Sequence, residues 1–162
     1  MAEPSALPPE LAQVKGAQAL FDWFGYWPNF HDAEVISVHL NRAGASSLAI
    51  HVWETTDRMD AQGYFATQKH AVVTFLFYVI TELELEEFNH QNIVDGLVLL
   101  KEDPGLELTL DSTYGVGGRI VANRIEITFI PGEPIEDPPP DNAGRPTRGP
   151  ARPLTEAERR GL

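Results

Sequence analysis

The sequence predicts an α+β fold: a mainly antiparallel β-sheet with one N-terminal helix and a disordered, proline-rich C-terminal tail. Three observations predict it. Apolar residues recur at helical spacing in one early stretch, with Ala17, Leu20, Phe21 and Phe24 at i, i+3, i+4 and i+7. From Ile36 to Phe129 they recur at period two, in runs of strand length separated by turn-like stretches. Beyond Ile130 no aromatic residue occurs, and eight of the thirteen prolines fall between Pro131 and Pro153.

Taken in order, residues Met1 to Pro9 hold three prolines and little that packs, which predicts a flexible start. Helical periodicity begins near Glu10. Gly16 weakens the first half of that helix by about 1 kcal/mol relative to alanine, so its well-formed part is expected from Gly16 onward. Gly25 stands where a C-cap glycine would, and Pro28 prevents the helix from resuming.

The connection that follows, Phe24 to Ile36, concentrates Tyr26, Trp27 and Phe30 in a few residues, whereas connections are ordinarily polar. It is expected to pack. His31, Asp32 and Glu34 stand directly after this aromatic anchor, at the mouth of the first strand.

Two alternating runs come next, Ile36, Val38 and Leu40, then Leu48, Ile50 and Val52, around the short stretch Arg42 to Ser47. They read as an antiparallel hairpin. Closure about Ala45 would put His39 and His51 opposite each other on the outer face. Thr55 to Gln68 lacks a sustained period and reads as a loop, with room for a strand near Tyr64. After His70 both alternating sets are apolar, Ala71, Val73, Phe75 and Phe77 against Val72, Thr74, Leu76 and Tyr78, which predicts a central strand. In Thr81 to Glu86, Leu83 and Leu85 point inward, and Glu82, Glu84 and Glu86 form an outward acidic stripe with Glu87 beside it. Ile93 to Lys101 and Leu106 to Leu110 read as strands about the turn Glu102-Asp103-Pro104-Gly105. Arg119 to Phe129 completes the sheet. The domain organisation is thus residues 1–9 flexible, 10–130 one globular domain, and 131–162 a tail that cannot bury enough area to offset its ordering entropy.

Composition narrows the function. With 162 residues and 15 aromatics the chain can bury one sizeable core. A formal charge of −12 disfavours nucleic acid and anionic membranes as partners and suits a basic protein. The tail is nearly balanced, six acids against five arginines, so the domain carries about −11 of that charge. The absence of cysteine removes disulfides, thiolate nucleophiles and sulfur metal sites. Met1 to Glu10 has no Lys or Arg and no unbroken apolar run follows, so neither a secretory signal nor a membrane span is expected, and a cytoplasmic location is.

Three blocks, Trp27-Pro28-Asn29-Phe30-His31-Asp32-Ala33-Glu34-Val35, Leu83 to Asn92, and Tyr114-Gly115-Val116-Gly117-Gly118, resemble in the same order the immunity protein 50 family of bacterial polymorphic toxin systems. The resemblance runs from about Leu20 to Phe129. It implies a partner, a toxin encoded beside the protein and neutralised by it, and it implies no catalytic residues and no cofactor.

His31, Asp32 and Glu34 suit a metal site, an acid/base pair, a structural tie for the anchor or a partner contact. Neighbours on a strand face opposite ways, so the three converge only where the strand starts irregularly. His39 and His51 supply two ligands at most, and His70 and His90 are isolated in sequence. Gly115, Gly117 and Gly118 precede a strand and not a helix, which favours tight turning over a phosphate loop. No serine sits in a nucleophile elbow. The stripe Glu82, Glu84, Glu86 and Glu87 is read as a solvated face or as a docking surface for a basic partner, with Phe88 and Tyr78 as aromatic anchors. The leading expectation is a non-enzymatic toxin inhibitor binding through these acids together with His31, Asp32 and Glu34. The alternatives are a small metal-dependent enzyme using His31, Asp32 and Glu34, and a small-molecule binding domain with a pocket under Tyr26, Trp27 and Phe30.

Overall fold

The computed structural model describes residues 6–135, one helix and six antiparallel strands in a single sheet. Of the segments expected to be flexible, residues 1–9 and 131–162, residues 1–5 and 136–162 lie outside the described residues. After a 3₁₀ turn at Pro9–Leu11 comes α1 (Ala17–Phe24), then β1 (Glu34–His39), β2 (Ser46–Met59), β3 (Phe65–Glu86), β4 (Ile93–Lys101), β5 (Leu106–Tyr114) and β6 (Gly117–Pro131). The sheet closes on itself as a barrel in the order β1-β2-β3-β6-β5-β4. Closure removes exposed sheet edges, which open sheets must otherwise protect.

The inward residues of β2, β3 and β6 make the core. Leu48, Ile50, Val52, Ala71, Val73, Phe75, Phe77, Ile125 and Ile127 are all buried, as the alternation predicted. The buried stripe of α1, Ala17, Leu20, Phe21 and Phe24, also follows the predicted spacing. Gly16 differs in its role. It is the N-cap, at φ +91°, and a Cβ there would stand 1.8 Å from the Ile127 carbonyl oxygen. Close approach to β6 requires glycine. β5 pairs with β6 only as far as Ala122. Beyond it, the Ile127 N–H donates to the Lys15 carbonyl (2.7 Å), so the N-terminal segment satisfies an edge that β5 does not reach.

Two sequence expectations need correction. The segment Thr55 to Gln68 is mostly strand, because β2 and β3 run on past the core as an exposed hairpin. At its tip Asp60 Oδ1 accepts from the N–H groups of Gln62 and Tyr64, both at 2.9 Å. Lying outside the core, that hairpin buries neither face and leaves no period to read. The second correction concerns register. The hairpin closes about Ala43 and not Ala45, which places His39 opposite Ser47, and past a bulge between Val35 and Ser37 Glu34 stands opposite His51, so the two histidines do not face each other. The same bulge buries Val35 and turns Ile36 outward.

The barrel closes through a narrow seam between β1 and β4. Its bonds run from Asp32 N–H to Val94 O (2.9 Å), Val94 N–H to Ala33 O (2.8 Å) and Val35 N–H to Asn92 O (2.8 Å). The aromatic connection packs there as expected: Phe30 is buried, 5.9 Å from Phe75 and 6.1 Å from Trp27 between ring centroids. Phe30 (φ +59°) and Asp32 (φ +62°) both adopt left-handed backbone, a conformation that non-glycine residues hold only where the surroundings enforce it.

Candidate partner-binding surface

The three blocks that carry the resemblance, far apart in the chain, meet at one buried side chain. Asn92 Oδ1 accepts from the N–H groups of Asn89 (3.1 Å) and Val116 (3.0 Å), and Asn92 Nδ2 donates to the Asn89 carbonyl (2.8 Å). Its own carbonyl accepts from Val35. Gly115 packs against it so closely that a Cβ would lie 2.5 Å from Oδ1. At Gly118 a Cβ would lie 1.9 Å from the Glu84 carbonyl oxygen. The glycines thus serve close approach, and a strand follows them, as the turn reading required.

His31, Asp32 and Glu34 sit at the seam, where the irregular strand start brings the first two together. His31 Nδ1 lies 3.1 Å from Asp32 Oδ2, and Nε2 lies 3.5 Å from Asp95 Oδ1. Asp95 enters from β4, a neighbour that sequence distance concealed. Glu34 shares a recess with Asp32, so the two carboxylates stand as like charges there. Among the described residues no group of three or more His, Cys, Asp or Glu side chains is arranged to hold a metal ion. A groove of about 630 Å³ is lined by Tyr26, Trp27 and His31 together with Trp53 and Glu54; the buried Phe30 is not part of its lining.

A second grouping, missed in the sequence, lies on the outer face of β2 and β3. His51 Nε2 and His70 Nδ1 are 3.0 Å apart, and His70 Nε2 is 2.9 Å from Thr67 Oγ1. Trp53 packs on both imidazoles, with ring centroids 4.8 Å from His51 and 6.1 Å from His70. Burial holds the His51 pKa below its usual 6.5, and the neighbouring His70 lowers it further, against a weaker upward pull from Glu34 and Glu133. Glu54, beside Trp53, is held below the ordinary carboxylate range by hydrogen bonds donated by Gln68 and by the Tyr26 hydroxyl (2.9 Å). The β2–β3 register, with His51 opposite Val72, is what brings His51 and His70 together, and the chain alone does not fix it.

Glu82, Glu84 and Glu86 are exposed on β3 as expected, but Leu83, expected inward, is exposed as well, because this end of β3 runs beyond the buried core and only Leu85 is partly covered. The charge of the acidic stripe is partly met across the sheet. Arg119 of β6 stands opposite Glu84, pairs with Glu82, and lies 3.2 Å from Glu107 and 3.8 Å from Glu84. Three carboxylates share one guanidinium. Glu86 and Glu87 lie past it, with exposed Phe88 and Tyr114, around a recess of about 770 Å³. Tyr78 is engaged within the sheet, its hydroxyl 3.3 Å from Glu126 and its ring 4.1 Å beneath the Arg124 guanidinium.

Fold and surface together define a small antiparallel barrel domain whose aromatic side chains stand beside clustered carboxylates. The family model described as Immunity protein 50 matches residues 16–132, and the chain belongs to that family. The match begins at the helix N-cap and ends one residue past β6, so it spans the barrel and the helix. No curated protein and no solved structure matches the chain. Among the described residues no helix is long and apolar enough to cross a membrane.

Proposed function

We propose that this protein is an immunity protein that binds a cognate bacterial toxin domain and neutralises it in the cytoplasm without catalysis, its acidic surface meeting a basic face of the toxin. Family membership is the observation that carries the role. Charge supports the mode of binding, since the chain has a formal charge of −12 and groups of exposed acids stand on β3 and around the β1–β4 seam. Like charges so gathered steer a cationic partner and raise its association rate, an effect that salt suppresses.

Two regions are assigned to the contact: Glu82, Glu84, Glu86 and Glu87, and His31, Asp32 and Glu34. Glu82 and Glu84 also pair with Arg119, so reversing them would break the sheet surface as well as the contact. The discriminating variant therefore reverses Glu86 and Glu87 to lysine. It is expected to weaken toxin binding by about tenfold or more and to flatten its salt dependence, with an unchanged circular dichroism spectrum. Titration calorimetry against the toxin encoded beside the gene, at two salt concentrations, reads both. Unchanged affinity would move the contact away from this stripe, and no binding by the unaltered protein would end the immunity reading.

A further inference from the structure

The groove across β2 has features that the stripe lacks. Tyr26 and Trp27 face Trp53 across it, all three half-buried, and Asp32 and Trp53 are shared with an adjoining recess of about 370 Å³ that also takes in Glu34 and Gln91. Carboxylates stand at both banks. Glu54 is kept ionised by the hydrogen bonds from Gln68 and Tyr26. Asp32 commits Oδ2 to His31. Trp53 is braced by His51 and His70. The one lysine nearby, Lys69, donates to the Phe24 carbonyl (2.7 Å) at the end of α1 and also acts electrostatically on Glu54.

Aromatic rings beside fixed carboxylates are complementary to a planar cation. A guanidinium stacks on an indole or phenol face while its N–H fork bonds a carboxylate, and it sheds water more readily than an ammonium does. We propose that this groove seats an arginine side chain of the protein's basic partner, between Trp27 and Trp53, with Asp32 and Glu54 as its carboxylate acceptors. This deepens the proposed function and rests on it for the identity of the partner. The site itself is testable without any toxin.

The probe is N-acetyl-arginine N-methylamide, titrated into the full chain labelled with ¹⁵N while the three tryptophan indole resonances are followed. A saturable shift of the Trp53 indole at millimolar concentrations is expected. It should be weaker with the lysine analogue, absent with the neutral citrulline analogue, and lost in Trp53→Ala and in Asp32→Asn. Equal shifts with citrulline, or a shift that survives Trp53→Ala, would overturn the site, as would no saturation with arginine. Asp32→Asn keeps the groove's shape, so its loss of binding with an intact spectrum separates recognition from unfolding. Toxin inhibition by Trp53→Ala is measured alongside. Inhibition weakened at least tenfold places the partner's arginine here. Inhibition unchanged overturns the groove as a toxin contact while leaving the immunity role standing.

Discussion

Asn92 shows how much a single side chain can hold. Truncating it to alanine leaves the buried Val116 N–H without its acceptor, removes the donor to the Asn89 carbonyl and opens space beside Gly115. An unsatisfied buried donor costs about 1–3 kcal/mol. Asn92→Ala is therefore expected to lower stability by about 2–3 kcal/mol, read as a shift in the urea midpoint at unchanged slope. His51 sets a pH dependence. Its pKa is lower folded than unfolded, so the unfolded chain takes up a proton first as pH falls. The stability contributed by neutral His51 is full above the unfolded value of 6.5 and is lost as pH drops below it toward the folded pKa. The melting temperature should fall between about pH 7 and pH 5, and His51→Gln should flatten that fall. A profile identical in both proteins would show that His51 does not titrate in this window. Glu54 adds a second loss of the same sign, beginning only below its unfolded value of 4.5, which keeps the two separable.

At the scale of elements, the neighbouring ladder decides what an exposed strand face means. Read along β3 alone, Glu82, Glu84 and Glu86 repel one another. In the sheet, Arg119 and Glu107 join Glu82 and Glu84, and the result is a network of three acids around one base, with Glu86 beyond it. Arg119→Ala should leave these carboxylates facing each other across the pleat and destabilise the protein by about 1–2 kcal/mol at low salt. Most of that loss should disappear at high salt, where the repulsion is screened. Urea denaturation at two ionic strengths tests this, and an equal loss at both would assign the arginine a packing role. The helix shows the same dependence on context. Gly16 reads as a weak spot within a helix, yet it is the residue whose missing Cβ lets the N-terminal segment reach Ile127 of β6.

For the whole molecule the closure is uneven. β3 is laddered to β2 and β6 over most of its length, whereas β1 meets β4 through the few bonds around Asp32, Val35 and Val94. Regions held by few hydrogen bonds open at lower free energy than the core. Native-state hydrogen exchange should accordingly show the Asp32, Val35 and Val94 amides exchanging well before those of Val73, Phe75 and Ile125. Uniform protection across these six positions would mean that the barrel opens only by global unfolding. The seam also holds His31, Asp32 and Asp95, so one of the two candidate contact regions lies where the barrel is held by few bonds.

Periodicity in the chain was enough to determine the α+β class, the stripe of α1, the inward residues of β2, β3 and β6, and the outward placement of Glu82, Glu84 and Glu86. Each follows from the repeat of a helix or a strand, which is local. The three motif blocks pointed to the family. The tertiary structure decided the rest: that the sheet closes, that Thr55 to Gln68 is strand, that His51 meets His70 and not His39, that Asp95 joins His31, and that Arg119 sits among the glutamates. All of these depend on register between strands distant in sequence. A single bulge at Val35–Ser37 shifts that register, and no pattern within one strand reveals which residue of another it will face.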